Sequence, residues 1–216
     1  LKSAKSKVKL FVYAWSSSSY GPRKSTELKE SFYPNPSTPY AVSKLTGEFY
    51  CGAMHHLYGM EYVALRFSNT YGPRDFPGRY RNVIPNFMKC AVLGEPLRIT
   101  GTGNEERDYT YIDDCIDGIV RASEDARAHN NVFNLGTGKA TRTIELAKQI
   151  LKVTGSGSKI VYVPPRYFDH IAKRWMNVSK ARKTFGYNPK IRIDEGIRRT
   201  WEWFRQNQKE ILRVKL

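Results

Sequence analysis

Apolar residues along the chain form short runs that alternate with longer segments of helical periodicity. The run Val8 to Ala14 is rich in β-branched and aromatic residues, which is typical of a buried strand, and Val63 to Phe67 is predicted as a second strand. Further strands are predicted at Leu97 to Thr100, Val132 to Leu135 and Ile160 to Val163. Helices are predicted at residues 39–57, 82–93, 112–128 and 143–153, with a short one from 179 and another over 194–208. Strands that alternate with helices predict βαβ units, a parallel sheet and helices on both of its faces.

Two of the predicted helices have N-terminal signals. Pro39 can occupy the first turn of the helix at 39–57, and Ser37 or Thr38 can cap it. Asp113 and Asp114 begin the helix at 112–128, where acidic residues suit the positive end of the helix dipole. We therefore interpret these two carboxylates as helix-start residues and not as catalytic acids.

The composition indicates a packed globular protein. The chain has 216 residues, of which 40% are hydrophobic, 13% aromatic and 26% charged. These values exclude disordered, collagenous and coiled-coil chains. From Gly155 onward the pattern changes to a strand, a loop and two helices, so we expect a small C-terminal lobe beside a single main core.

The net charge bears on whether the chain binds nucleic acids, and the cysteines bear on the cellular compartment in which it folds. The 36 Lys and Arg exceed the 20 Asp and Glu, which gives a net charge of +16. Such a charge attracts nucleic acids nonspecifically, but the basic residues are scattered without an aromatic-interleaved motif, which argues against a nucleic acid partner. The three cysteines lack CxxC spacing and favour reduced thiols and a cytoplasmic location.

Other classes of site and location are not supported by the sequence. The four histidines have no metal-ligand spacing, so no metal is expected. No apolar run reaches the roughly 18 residues of a membrane span. Residues 1–9 contain four lysines but do not lead into a signal-peptide pattern.

Candidate chemistry begins with Tyr40 and Lys44, which lie four residues apart and therefore share one face of the predicted helix. A nearby ammonium stabilises a phenolate. By itself this spacing is a weak signal, because an exposed helical pair has the same pattern. The signal gains weight from the run Ser16 to Ser19 and from Asn69, which follow two predicted strands, because parallel sheets bind ligands at the carboxyl ends of their strands.

These motifs resemble, in order, those of the extended short-chain dehydrogenase/reductases that epimerise or dehydrate nucleotide-diphosphate sugars, such as the UDP-glucose and UDP-glucuronate 4-epimerases. The resemblance covers nearly the whole chain. It rests on the serine run, Tyr40 and Lys44, Asn69 to Arg74, Gly101 to Gly103, Arg107 to Tyr109, Tyr111 to Asp114, Asn134 to Gly136 and Ser179 to Ala181.

The resemblance implies an α/β fold that is the C-terminal part of a doubly wound, Rossmann-like parallel sheet. Residues 1–154 would form the partial Rossmann-like domain that contains the serine, tyrosine and lysine site. Residues 155–216 would mainly form the substrate-binding lobe, which would also receive segments around 74–100.

The resemblance also implies NAD as the cofactor and assigns the catalytic roles. Tyr40 would take a proton from a sugar hydroxyl while hydride passes to NAD⁺, and Lys44 would stabilise the phenolate and bind the nicotinamide ribose. Ser16 would hydrogen-bond the same sugar oxygen, with Ser17 as its catalytic neighbour. Ala14 and Phe67 would join Tyr40 and Lys44 in contacting the cofactor.

A nucleotide-diphosphate sugar is the implied substrate. Arg107 and Arg166 would approach the phosphates, since a diphosphate calls for cations, and Asn69 would hydrogen-bond one phosphate. The remaining expected substrate contacts are Ser16, Ser18, Val83, Pro85, Leu97 and Ile99.

The serine run also bears on the reaction. Dehydratases of this family place Asp-Glu where the chain has Ser17 and Ser18, so the resemblance implies epimerisation at C4 and not dehydration. A C4 epimerase would oxidise the sugar to a 4-keto intermediate, turn it, and return the hydride to its other face. A dehydratase or a reductase of the same family remains an alternative, as does a basic remnant that binds nucleotides or nucleic acids without catalysis. Family members also suggest a homodimer through helices that include the helix of Tyr40.

The chain departs from the family pattern in one major respect. The family begins with a βαβ unit whose glycine-rich turn receives the NAD pyrophosphate, and neither G-x-G-x-x-G nor G-x-x-G-x-x-G occurs here. We therefore expect the isolated chain to bind NAD poorly and not to turn over. The strand at Val8 to Ala14 would also have an exposed apolar edge.

Overall fold

The computed structural model of the chain describes residues 8–23, 25–78, 82–165 and 172–214. The strands are β1 (Leu10–Ser16), β2 (Glu27–Leu28), β3 (Glu61–Phe67), β4 (Asn69–Tyr71), β5 (Leu97–Thr100), β6 (Glu106–Arg107), β7 (Tyr109–Tyr111), β8 (Asn131–Leu135), β9 (Thr141–Arg142), β10 (Ile160–Val163) and β11 (Lys173–Met176). The helices are α1 (Pro39–Tyr58), α2 (Val83–Leu93), α3 (Ile112–Glu124), α4 (Thr143–Thr154), α5 (Ser179–Phe185), α6 (Ile193–Gln206) and α7 (Gln208–Ile211), with 3₁₀ turns at Ser17–Tyr20 and Ala126–Ala128.

Three parallel strands form the sheet that positions the candidate site, in the order β1, β3, β8. The register places Ser16 beside Phe67 and Phe67 beside Leu135, so the carboxyl ends of the three strands meet at one edge. Val63 and Phe133 are fully buried in the core of this sheet. The predicted α/β class with a parallel sheet is therefore confirmed.

A second core forms around α2, α4 and α6 and the parallel pair of β5 and β10. Ile84, Leu97 and Ile150 are fully buried in it. The short parallel pair of β4 and β7 contributes Tyr71 and Tyr111 to the same core. Helix α5, in contrast, packs on β8, so segments before and after residue 154 contribute to both cores.

Most of the predicted elements appear with small shifts in their bounds. The first strand extends to Ser16, and the helix predicted at 112–128 ends at Glu124 before a separate 3₁₀ turn. The helix predicted over 194–208 ends at Gln206 and is followed by α7. The six short strands β2, β4, β6, β7, β9 and β11 are not predicted from the sequence, since two to four residues rarely show a periodic pattern.

Helix α1 begins and approaches the sheet through specific local features. Thr38 is the N-cap, and its side chain accepts a hydrogen bond from the backbone N–H of Ala41 (3.2 Å), while Pro39 occupies the first helical position. Gly47 faces Tyr13 of β1, and a Cβ atom at this position would lie 2.1 Å from the Tyr13 hydroxyl oxygen. A glycine here therefore lets α1 pack closely over the strand that ends at Ser16.

Strand β1 lies at an edge of its sheet, because β3 is its strand partner among the described residues. Val12 on this strand is 37% exposed, and Phe11 and Tyr13 are partly buried beside α1. The edge has the apolar character that the sequence predicts.

None of the described helices has the length and hydropathy needed to cross a membrane. Within the described part of the chain, no cluster of three or more His, Cys, Asp or Glu side chains has a metal-binding arrangement. The three cysteines are free thiols, and Cys51 and Cys115 are buried.

Candidate active site

The serine run forms a tight turn directly after β1. Ser16 caps the 3₁₀ turn, and its Oγ accepts hydrogen bonds from the backbone N–H of Ser18 (3.3 Å) and from the Ser18 hydroxyl (3.0 Å). Ser17 is buried, whereas Ser16 and Ser18 are partly exposed. Both acceptor positions of the Ser16 oxygen are thus occupied, which leaves its hydroxyl hydrogen as the group available to a ligand.

The turn ends at Gly21, which has a φ of +64°. A Cβ atom at Gly21 would lie 1.7 Å from the backbone oxygen of Asn35, so only glycine fits this close approach. Ser19 is fully buried, and its hydroxyl donates a hydrogen bond to the backbone oxygen of Ala41 (2.8 Å). This bond fixes the serine turn against the first turn of α1, next to Tyr40.

Tyr40 and Lys44 project from the first two turns of α1. Tyr40 is 57% exposed. Lys44 Nζ donates a hydrogen bond to the backbone oxygen of Ala14 (3.1 Å) and lies 6.0 Å from the centre of the Tyr40 ring. Lys44 also lies 5.8 Å from the Tyr13 ring, and the Tyr13 hydroxyl donates to the Lys44 backbone oxygen (3.0 Å). The lysine therefore links the end of β1 to the exposed phenol.

The predicted cofactor contacts lie at this same edge of the sheet. Ala14 is exposed and accepts the hydrogen bond from Lys44, and Phe67 is partly buried beside Ser16 in the strand register. Ala14, Phe67, Tyr40 and Lys44 are consequently brought together with the serine turn. These residues suit the nicotinamide end of a dinucleotide, which needs an amine for a ribose and apolar surface for a ring.

A second feature, a cavity of about 280 Å³, lies beside Asn69 at the start of β4. Three of the predicted substrate residues line it, namely Asn69, Val83 and Arg107. The other lining residues are Asn82, Asn86, Phe87, Arg98, Thr100, Gly101, Glu105, Tyr109, Thr143 and Pro165. Its wall is mixed polar and apolar with two arginines, which suits a nucleotide with a phosphate.

Two hydrogen bonds hold Asn69 in the wall of this cavity. Its backbone N–H and its Nδ2 both donate hydrogen bonds to the backbone oxygen of Asp108, each at 3.0 Å. One Nδ2 hydrogen is used in this way, so the second one remains for an anion.

The one carboxylate that lines the cavity is Glu105, within the part of the chain that the structure describes. Burial acts to raise the pKa of Glu105, but hydrogen bonds from the backbone N–H groups of Thr102 (2.9 Å) and Gly103 (2.7 Å) outweigh it, so the pKa is lowered. Glu105 therefore stays ionised while it holds its own loop. Arg98 and Arg107 still leave the cavity wall with one excess positive charge.

Three predicted substrate residues lie elsewhere. Leu97 and Ile99 are fully buried in the core, because alternate side chains of β5 point to opposite faces. Arg98 and Thr100, on the other face of the same strand, line the cavity instead. Pro85 is buried in the first turn of α2. Arg166 lies outside the described residues.

The period-two alternation of β5 was the signal that could have identified Arg98 and Thr100 in the sequence, since apolar positions 97 and 99 belong together on the core side. Asp114 lies in the first turn of α3, where the sequence predicts it, but its carboxylate accepts hydrogen bonds from the distant backbone N–H groups of Lys190 and Ile191, each at 2.9 Å.

Known proteins that are similar to this chain include epimerases. In solved structures, the chain is similar to an epimerase from Methanothermobacter thermautotrophicus (35% identity, TM-score 0.94, 99% of this chain and 65% of that one). It is also similar to UDP-glucose 4-epimerase from Thermotoga maritima in a structure with UDP-glucose (35% identity, TM-score 0.90, 96% of this chain and 67% of that one).

Curated sequences agree with the structures. The UDP-glucose 4-epimerase of Mycolicibacterium smegmatis is 34% identical over 186 residues, which are 86% of this chain and 59% of that protein. The chain thus spans about three fifths of the length of such relatives. The model of the NAD dependent epimerase/dehydratase family matches residues 2–136. The resemblance seen in the motifs is confirmed: the chain belongs to the NAD dependent epimerase/dehydratase family.

Proposed function

We propose that the protein containing this chain catalyses the NAD-dependent epimerisation of a nucleotide-diphosphate sugar at C4. The observation behind this proposal is the linkage at the end of β1, where Lys44 joins the Ala14 backbone oxygen to the Tyr40 ring and Ser19 fastens the serine turn to α1. A phenol, an amine and a hydroxyl at one sheet edge are the groups that oxidation of a sugar alcohol requires.

Each residue of this group has a distinct proposed task. The exposed phenol of Tyr40 takes the proton from the sugar hydroxyl and later returns it, and the charge of Lys44 stabilises the phenolate. Ser16 donates its hydroxyl hydrogen to the same sugar oxygen, with Ser17 and Ser18 supporting the turn. When bound, NAD supplies hydride transfer. Lys44, Ala14 and Phe67 would hold its nicotinamide end.

The substrate's diphosphate is assigned to the cavity lined by Asn69, Arg98 and Arg107. Cationic and amide donors at one wall favour a doubly charged group. A nucleotide held there would stay bound while the oxidised sugar turns, which epimerisation requires and a single oxidation does not.

Dehydration of the same class of substrate is the second candidate, since the family contains both reactions. The composition of the serine turn favours epimerisation. Residues Ser16 to Ser19 offer no carboxylate to donate a proton to a leaving hydroxyl, and Ser17 is buried.

The experiment is an assay of the full-length protein that includes this chain, supplied with NAD and UDP-glucose. We expect UDP-galactose as the product, and a Tyr40→Phe variant should lose at least about a hundredfold in turnover. Tyr58→Phe is the matched control, because Tyr58 lies on the same helix and is 45% exposed. A 4-keto-6-deoxy sugar as product would replace epimerisation by dehydration, and near-normal turnover of Tyr40→Phe would remove Tyr40 from its role.

The isolated 216 residues should bind NAD weakly, because their sequence has no glycine-rich pyrophosphate turn. Micromolar affinity for NAD in a titration of this polypeptide would contradict that expectation. The net charge of +16 is the basis for the competing idea of a nucleic-acid-binding remnant. Tight RNA binding at physiological salt without any UDP-sugar binding would favour that idea.

We also propose that the protein forms a homodimer through α1. Phe49 (64%), Tyr50 (63%) and Leu57 (64%) are large apolar side chains that this helix exposes. Such exposure on one helix is typical of an interaction face. Sedimentation equilibrium of the full-length protein should give a dimer, and a Phe49→Glu variant should give a monomer. The predicted cytoplasmic location and the predicted division at residue 154 stay predictions.

A further inference from the structure

A buried arginine near the carboxyl end of β3, Arg66, contacts both α1, which carries Tyr40 and Lys44, and the residues that flank the serine run. Arg66 is 4% exposed, and its guanidinium binds both carboxylate oxygens of Glu48 on α1, with Nε–Oε2 at 3.0 Å and Nη2–Oε1 at 2.7 Å. Burial acts to lower the pKa of Arg66, but hydrogen bonding to Glu48 outweighs it, so the pKa is raised. The pair is therefore a permanent, bidentate and directional link between β3 and α1.

The same guanidinium also holds both ends of the serine turn. It stacks over the Trp15 ring at 4.2 Å from the ring centre and over the Tyr20 ring at 4.9 Å. Its Nη1 donates a hydrogen bond to the Tyr20 hydroxyl (2.7 Å). Trp15 directly precedes Ser16 and Tyr20 directly follows Ser19, so Arg66 touches the residues on each side of the serine run.

The Tyr20 hydroxyl continues the network into the third strand. It donates to Asn134 Oδ1 (2.8 Å), and Asn134 Nδ2 donates to the backbone oxygens of Leu28 (2.9 Å) and Asn177 (3.2 Å). Asn134 is fully buried in β8. Arg66 and its partners thus connect the serine turn to all three strands of the sheet and to α1.

Glu48 lies on the same helix as Tyr40 and Lys44, at a spacing that keeps the three side chains on one side. It follows Lys44 by four residues and Tyr40 by eight, so the three side chains lie along one side of α1 over little more than two turns. A shift of Glu48 relative to Arg66 would therefore move Tyr40 and Lys44 relative to Ser16 by a similar amount. Errors of about 1 Å in the position of a catalytic group are sufficient to cost about a hundredfold in rate.

We propose that Arg66 is a positioning residue that sets the placement of Tyr40 and Lys44 against Ser16, through Glu48 on one side and through Trp15 and Tyr20 on the other. This inference rests on the proposed function. Two charges buried together are a costly way to gain stability, but their directional geometry specifies one arrangement of the elements that they join. Apolar packing between α1 and β3 would allow small sliding movements that the bidentate pair does not.

The test compares Arg66→Met and Glu48→Gln with a matched control in the full-length protein. Asp114→Asn is the control, because Asp114 is also a buried carboxylate (6% exposed) but holds the backbone at Lys190 and Ile191, away from α1. Each variant is assayed for kcat, KM and UDP affinity at a temperature where circular dichroism shows it folded. Glu48→Gln keeps the size of the side chain and replaces Arg66→Met should that variant not fold.

We expect kcat to fall about 10-fold to 100-fold in the two network variants, with KM and UDP affinity within threefold of the unmodified protein. Asp114→Asn should keep kcat within threefold. A kcat within threefold of the control in both network variants would overturn the proposal, as would UDP affinity that falls in parallel with kcat, because general loosening of the fold would then explain the loss.

A second readout does not depend on turnover. Fluorotyrosine is placed at position 40 of this chain, and its ¹⁹F chemical shift is measured in each variant. A shift change in Arg66→Met or Glu48→Gln that is absent in Asp114→Asn supports the proposal even if no nucleotide sugar is turned over, an outcome that would remove the proposed function alone. An unchanged ¹⁹F shift in both network variants would overturn the positioning role.

Discussion

Two glycines on α1 are expected to respond in opposite ways to the same substitution. Gly47 faces Tyr13, and a Cβ atom there would lie 2.1 Å from the Tyr13 hydroxyl oxygen and 2.3 Å from Cζ. Gly52, five residues further along the helix, would place its Cβ no closer than 4.0 Å to its neighbour, the Tyr62 hydroxyl oxygen. Ordinary contacts of carbon atoms begin at about 3.5 Å. Gly47→Ala therefore forces a movement of more than about 1 Å, and Gly52→Ala forces none.

The magnitudes follow from these distances. Both substitutions gain about 1 kcal/mol of helix propensity. At Gly47 the Tyr13 ring must move, which loses its hydrogen bond to the Lys44 backbone oxygen, worth about 1 kcal/mol, and adds about 1–3 kcal/mol of overpacking. The net expectation is that Gly47→Ala lowers the free energy of unfolding by about 1–3 kcal/mol. Gly52→Ala should raise it by about 0.5–1 kcal/mol.

Urea denaturation and thermal unfolding measure both variants directly. For a chain of this size, about 1 kcal/mol corresponds to about 2–4 °C in Tm, so a difference of about 1.5–4 kcal/mol should separate the two variants by roughly 3–16 °C. Because α1 carries Tyr40 and Lys44, Gly47→Ala should also lower turnover, and Gly52→Ala should not. Equal shifts in the same direction, or a Gly47→Ala protein that is more stable than the original, would refute the claim that Gly47 sets the distance between α1 and β1.

Three further predictions concern pH, a buried carboxylate and the cavity. Burial raises the pKa of Cys51 to about 11 and that of Cys115 to about 12. Above about pH 9, both thiols therefore stay protonated in the folded protein but lose their protons when it unfolds. The free energy of unfolding should consequently fall as pH rises from about 9 to about 11, and an increase between pH 8 and 10 in urea titrations would contradict this. Asp108→Asn should cost about 2–4 kcal/mol in the same assay, because the Asp108 carboxylate accepts backbone N–H groups from Thr137, Gly138 and Met176. Arg107→Met should weaken UDP binding about tenfold in calorimetry, while Lys152→Met on the exposed last turn of α4 should leave it unchanged.

The sequence predicts those parts of the fold whose signals are local. Helix α1 has a cap at Thr38, a proline at its first position and a left-handed glycine, Gly59, at its end, and its bounds were predicted within one residue. The strand at Leu97 to Thr100 was predicted with its observed bounds. The side of β5 that faces the cavity also has a local signal, because apolar Leu97 and Ile99 alternate with Arg98 and Thr100, but the resemblance assigned the apolar pair to the substrate.

The candidate site divides in the same way. Tyr40 and Lys44 share a helix face by spacing alone, and the carboxyl ends of parallel strands bring Ser16 near them. From the sequence, Arg66 is predicted only as one residue of the strand at Val63 to Phe67. A charged residue inside such a run indicates a buried partner, but nothing local identifies Glu48, 18 residues earlier, as that partner.

The two ends of the proposed substrate site are held by different buried acids. Glu48 anchors the base end through Arg66, whereas Asp108 anchors the diphosphate end: its backbone oxygen holds Asn69, and its carboxylate holds the turn that follows β8. The two networks run side by side where β8 and β11 end: Asn134 contacts Asn177 in the first, and Asp108 binds Thr137 and Met176 in the second. A sugar that turns between two hydride-transfer positions needs both ends fixed while its middle is free. The separate anchors Glu48 and Asp108 meet that need, and they are the reason why damage to Arg66 should lower kcat while nucleotide affinity stays within threefold.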